Sequence, residues 1–133
     1  MKSEKGQSMV EFALILPILV MLLFAIVDFG RAFHVYLTLD HTGREIARLM
    51  SIGSDEATID SKITSTTSSL DTTNKLTIIF PNGKTGLASG SEAKIVLNYK
   101  FSFITPLVSL LDKLFDTKIS EYSITDTTVM RVE

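Results

Sequence analysis

The chain has 133 residues, one domain's worth, with 13 Lys plus Arg against 15 Asp plus Glu and a formal charge of −2. That near-balance argues against a nucleic-acid partner, which would want a basic surface. The absence of Cys excludes a disulfide framework, a zinc knuckle and a thiol nucleophile.

The first element is apolar. From Phe12 to Val27 the sequence reads FALILPILVMLLFAIV, sixteen residues without a charge, and Met9 and Val10 extend the block to nineteen positions interrupted only by Glu11. A bilayer-spanning helix needs about 20 mostly apolar residues. Phe29, Gly30, Ala32 and Phe33 carry the apolar character past Asp28, and Arg31 can run its stem along lipid to the interface. The reading is one retained membrane helix over 7–33, with lipid as its solvent. A cleaved secretory signal is one alternative; Lys2 and Lys5 suit it, but Ala25-Ile26-Val27-Asp28-Phe29 at the end of the run does not supply a small-x-small cleavage site. A buried core helix is the other, and it would need the polar stripe that 12–27 lacks. Lys2 and Lys5 in a very short tail favour a cytoplasmic N-terminus, which places 34–133 outside the cytoplasmic membrane.

Two residues in this segment are costly. Glu11 heads the apolar run, where a carboxylate is desolvated unless it is paired. Pro17 removes a backbone hydrogen bond and invites a kink. Around Glu11 the order is Lys5-Gly6-Gln7-Ser8-Met9-Val10-Glu11-Phe12: a glycine closes a short basic leader, 1–6, and a glutamate stands five positions after it. This resembles a type IV prepilin signal of the tight-adherence form. In that family a prepilin peptidase cuts after the glycine, here between Gly6 and Gln7, and the apolar segment is kept.

The resemblance extends over residues 6–48. Gly6-Gln7-Ser8, Val10-Glu11-Phe12-Ala13-Leu14, Pro17, Val27-Asp28-Phe29-Gly30-Arg31 and Arg44-Glu45-Ile46-Ala47-Arg48 are similar to the TadE-like minor pilins of tight-adherence (type IVc) pili. Val129 to Glu133 also looks like the ending of such proteins, whereas Asp40-His41-Thr42-Gly43 departs from their usual Asn and small residues. The resemblance implies partners: prepilin peptidase, other pilins and pseudopilins, the inner-membrane platform protein and, indirectly, an assembly ATPase. It also implies that Glu11 sets register between neighbouring subunits, and it implies no cofactor.

Past the membrane the helix should continue, since Tyr36, Leu39, Gly43, Ile46, Ala47 and Met50 recur at three- and four-residue steps. Arg44, Glu45 and Arg48 fall on its wetter side. Asp28 with Arg31, and Glu45 with Arg48 or Arg44, read as interface and helix-surface pairs. Gly53 is the stop, Ser54-Asp55-Glu56 a new N-terminus, and Ile59, Ile63 and Leu70 a thin second stripe through 55–70. TSTTSSLDTT (64–73) reads as a hydroxyl-rich helix end and loop, with an O-glycosylated patch as the alternative.

The period then changes to two. Leu76, Ile78 and Phe80 alternate; Ala93, Ile95, Leu97, Tyr99, Phe101 and Phe103 do so more strongly; Tyr122, Ile124, Thr128, Met130 and Val132 follow. PLVSLLDKLF (106–115) between them reads as a short amphipathic helix with Pro in its first turn. The fold class is therefore α+β: a long N-terminal helix packed on a small antiparallel sheet of three strands, with a fourth in 84–90 if that segment pairs. The resemblance makes this pilin-like.

Searching for chemistry returns little. His34 and His41 lie two helical turns apart with no third ligand, and no HExxH, GxSxG, Walker or GxGxxG pattern occurs. Asp55, Glu56 and Asp60 lack the glycine-centred loop of a calcium site. The expectation is a structural protein rather than an enzyme, with no catalytic, cofactor or metal residues. It is a minor pilin on this reading. The alternatives are a membrane-anchored binding module that never enters a filament and a secreted soluble domain.

Overall fold

A computed structural model describes residues 2–116 and 121–133, apart from the side chains of 2–5. The side chains of Lys2 and Lys5, and Met1 of the leader, therefore lie outside the described residues. Six elements follow in order: α1 (Lys2–Ser51), α2 (Glu56–Thr66), β1 (Leu76–Ile79), β2 (Glu92–Ser102), α3 (Pro106–Phe115) and β3 (Glu121–Arg131). The class is α+β, as the sequence indicates. Two compact units are distinguishable: the N-terminal part of α1, up to Arg31, with the α3 segment from Phe103; and Ala32–Ser102 with Glu121–Glu133.

In the first unit α1 is apolar all round over 12–27. From Gly6 to Val27 every residue except the half-buried Phe24 is exposed. Residues 7–27 rise about 31 Å at 1.5 Å per residue, matching a hydrocarbon thickness of about 30 Å. The helix is long and apolar enough to cross a membrane, and no residue of its most apolar stretch is buried within the protein. A soluble core helix would be covered here, so the chain fits a membrane anchor.

The second unit is built on the sheet. β2 is central, antiparallel to β1 (Leu76↔Tyr99 to Ile79↔Val96) and to β3 (Glu92↔Arg131 to Ser102↔Glu121). Ala93, Ile95, Leu97, Tyr99 and Phe101 are buried while their neighbours are not, the period-two signature of a sheet covered on one face. The cover is the C-terminal part of α1, whose Gly43 comes against Leu97, Asp126 and Thr128. Val35, Leu39, Thr42, Ile46, Ala47 and Met50 form its buried stripe, and Ile59 of α2 completes the core. Tyr36 belongs outside this stripe, 48% exposed. The 3.6-residue period running back from Leu39 selects Val35, and Tyr36 instead stacks on Phe33 at 6.5 Å between ring centroids.

α1 stops where the sequence places the stop. Gly53 adopts φ +72°, its N–H bonds the Met50 carbonyl at 3.2 Å, and Ser54 N–H bonds that of Leu49 at 3.0 Å. That pair of bonds is the Schellman motif, which needs a left-handed residue. α2 begins after Asp55 and ends earlier than the 55–70 reading, at Thr66. Its hydroxyls turn back on the helix: Thr64 donates to the Asp60 carbonyl at 3.0 Å, Thr66 to Lys62 at 2.8 Å and Thr67 to Ile63 at 2.7 Å. This side-chain competition for carbonyls weakens continuation. The fourth strand is absent. Residues 84–90 are turns and irregular backbone, because Gly86 (φ +70°) and Gly90 (φ +82°) leave the extended region.

Candidate functional site

Residues with a polar reason to sit in an apolar helix mark the candidate site, and α1 supplies them in order. Gly6 has open space around the position a Cβ would take. Glycine in a helix costs about 0.5–1 kcal/mol relative to alanine, and nothing in the surrounding fold requires it here. One turn on, the Gln7 side-chain amide donates to Glu11 Oε1 at 3.2 Å, and Glu11 itself is exposed. Pro17 lies inside the helix among exposed apolar neighbours.

Asp28 ends the charge-free run and is only 4% exposed. Its Oδ1 accepts the Ile104 N–H at 3.3 Å, its Oδ2 accepts the Thr105 hydroxyl, and Arg31 lies 3.6 Å away. Thr105 is the N-cap of α3, and Pro106 follows with no N–H to satisfy. The Asp28–Arg31 pair thus exists, yet its larger task is to hold the start of α3, and Thr105 is the site residue that sequence reasoning missed. Seventy-seven positions separate the two, so no local pattern could have joined them.

Removing this carboxylate should be costly. In Asp28→Ala both the Ile104 N–H and the Thr105 hydroxyl lose their acceptor, and the buried Thr105 hydroxyl left unpaired costs about 1–3 kcal/mol. Hydrogen exchange over residues 104–115 of the full-length protein should accelerate by at least tenfold, with Asp28→Asn intermediate. Parental exchange in Asp28→Ala would show that α3 is held by its apolar contacts alone.

Alongside α3, α1 forms one wall of an open groove of about 560 Å³. Leu16, Pro17, Val20, Met21 and Phe24 line one side, and Pro106, Leu107, Ser109, Leu110 and Lys113 the other. Pro17 is therefore a groove residue as well as a helix proline.

The Arg-Glu-x-x-Arg segment farther along α1 is a surface network. Arg48 pairs with Glu45 at 3.5 Å as expected, but Arg44 turns back one helical turn to Asp40 at 3.1 Å, and Glu45 has its closest partner in Lys62 of α2 at 3.3 Å. Position explains it: at i, i+1 Arg44 and Glu45 do not face each other. The Lys62 ammonium, by hydrogen bonding first and by its charge second, holds the Glu45 carboxyl below the usual carboxylate range; desolvation opposes this, and Arg48 adds a lesser lowering. A depressed folded-state pKa stabilises above the ordinary glutamate value, about 4.3, and the contribution is lost as pH falls through the folded value. An NMR titration of Glu45 should show the lowered midpoint, and Lys62→Met should move it back up. An unmoved midpoint would assign the shift to Arg48 instead.

Glu56 and Asp60 face a cation supplied by the protein. Lys84 bridges both, 3.1 Å from Glu56 and closer still to Asp60, and the Asp60 hydrogen bond chiefly holds the ammonium above its ordinary pKa. Asp55 accepts the Thr58 hydroxyl, which lowers its pKa. His34 and His41 are exposed, and no grouping of three or more metal-ligating side chains occurs among the described residues.

No curated protein and no solved structure matches the chain. A family model does, and its bounds coincide with the glycine of the leader and the second arginine of the Arg-Glu-x-x-Arg segment. It is the model of TadE-like proteins, and residues 6–48 of this chain, the part of α1 that runs from Gly6 to Arg48, are its TadE-like segment.

Proposed function

We propose that the chain is a minor pilin (pseudopilin) of a tight-adherence pilus or related secretion machine: a structural subunit, not an enzyme. The observation that supports this best is the coincidence of the TadE-like match with a helix whose apolar surface the protein itself leaves uncovered from Gly6 to Val27, Phe24 excepted. Such a helix is stored in lipid and can afterwards pack against its equivalents in a filament. The mature N-terminus starts at Gln7, the helix crosses the cytoplasmic membrane with its N-terminus inside, and the sheet unit lies outside. Prepilin peptidase, other pilins, the platform protein and, indirectly, the assembly ATPase are the partners of this reading.

Intact mass tests it. Cleavage after Gly6 removes Lys2, Glu4 and Lys5, a net +1, so the formal charge moves from −2 to −3. Gly6→Phe should abolish processing and leave only precursor, because the peptidase needs close approach to the backbone at a position where the fold makes no demand of its own. A mature chain starting beyond residue 27 would instead identify a secretory signal. An uncut chain in a cell with active peptidase would leave a permanently anchored module.

A further inference from the structure

α3 carries Leu107, Leu110, Leu111 and Leu114 at three- and four-residue steps, the stripe that a soluble domain would bury. Here Leu110, Leu114 and Phe115 are exposed by 45, 67 and 69%, and Ile104 just before the helix by 70%. The helix also has a fixed level along α1. Its N-cap Thr105 is held by Asp28, the first charge after the apolar run, and its groove faces Leu16, Val20, Met21 and Phe24. Contacts that begin at Asp28 and continue back to Leu16 make α3 run antiparallel to α1. Ten residues rise about 15 Å, half of a hydrocarbon layer of about 30 Å.

We infer that α3 is a second membrane element: it enters the leaflet adjoining Asp28 beside α1, stops within that leaflet, and leaves the groove between the two helices to lipid acyl chains. This rests on the proposed membrane anchoring of α1. Lipid is the occupant because the exposed apolar surface of α3 is continuous with that of α1 across the groove. A protein helix gains little from apolar burial in lipid and docks through small residues. The groove walls are instead mostly Leu, Val, Met and Phe. Two of its charges are placed to tolerate the leaflet, and the exposed Asp116 at its C-cap limits how deep the helix goes. Lys113 lines the groove and can lay its stem along apolar surface while its ammonium reaches toward headgroups, and Asp112 is half-buried against the protein. The backbone of α3 is helical, so its hydrogen bonds need no water.

The chain has no Cys, so single cysteines label cleanly. Full-length protein with an environment-sensitive fluorophore at Leu114→Cys is placed in phosphatidylcholine vesicles whose acyl chains carry bromine. Ile104→Cys is a second reporter, Leu14→Cys the control for α1, and Thr127→Cys the control for the sheet. The expected result is loss of most emission at Leu114 and Leu14, none at Thr127, and protection of Leu114 from aqueous iodide. If Leu14 is quenched while Leu114 and Ile104 behave like Thr127, the inference about α3 is overturned and the anchor stands. Shielding of Leu114 from both bromine and iodide would overturn it in favour of a protein cover. An unquenched Leu14 would sink the anchoring reading and this inference with it.

Discussion

Gly43→Val should unfold the sheet unit more readily than any other single-residue change considered, lowering stability by about 3 kcal/mol and the melting temperature by roughly 10–20 °C. A Cβ at position 43 would lie 2.6 Å from both Asp126 Oδ2 and Thr128 Oγ1, and 3.4 Å from Leu97 Cδ1. Those two oxygens share a hydrogen bond of 3.1 Å, so neither can retreat without losing it. Gly43→Ala sets two effects against each other. Alanine gains about 1 kcal/mol of helix propensity over glycine, and overpacking costs about 1–3 kcal/mol. The net loss should be small, and Thr128→Ala should relieve part of it, a non-additivity that a double-mutant cycle would register. Thermal melts of the full-length protein in one detergent measure all four variants. Parental melting of Gly43→Val would mean that α1 is not seated on β2 and β3 as described.

The second large effect belongs to Glu11. Under the proposed cleavage after Gly6 it becomes the fifth residue of the mature chain, one helical turn from the new α-amino group of Gln7. Under the proposed function a neighbouring subunit's ammonium pairs with this carboxylate in an apolar filament core, and only one axial stagger neutralises both charges. Removing one partner of a buried pair costs about 3–5 kcal/mol. Since 1.4 kcal/mol is tenfold in an equilibrium, incorporation of Glu11→Gln into filaments should fall by at least on the order of tenfold. Cleavage and insertion should be retained, because a glutamine at 11 keeps the shape and can still accept the Gln7 side-chain hydrogen bond seen at 3.2 Å. Immunoblots of sheared filaments against membranes give the ratio. Parental incorporation would show that this charge does not steer assembly.

What the sequence made legible was whatever depends on near neighbours. The apolar run, the Gly53 stop, the proline opening α3 and the alternation of β2 are each set within a few residues, by hydropathy period or backbone conformation. The strand alternation was clear because β2 is central and buried on one face only. Residue choices within a stripe were less so: Tyr36 and Val35 are adjacent and both apolar, and only the packed sheet decides between them. Long-range polar contacts left no trace at all. Asp28 with Thr105, Glu45 with Lys62, and Lys84 with Glu56 and Asp60 each join separate elements, and no spacing rule connects them. Glu45 does pair with Arg48 as its spacing indicates, and only its contact with Lys62 crosses between elements.

The pairing of Ser102 with Glu121 has a consequence for how such a chain can change over generations. Eighteen residues intervene between these facing partners, so a change in the length of the insert need not shift the ladder from Glu92↔Arg131 to Ser102↔Glu121. Lengthening such an insert costs little, about 0.6 kcal/mol of closure entropy for each doubling. The stretch around α3 can therefore change almost without reference to the sheet, provided the donors at 104 and 105 that meet Asp28 and the apolar stripe of α3 are kept. In such an arrangement the sheet register and the length of the insert can be altered separately.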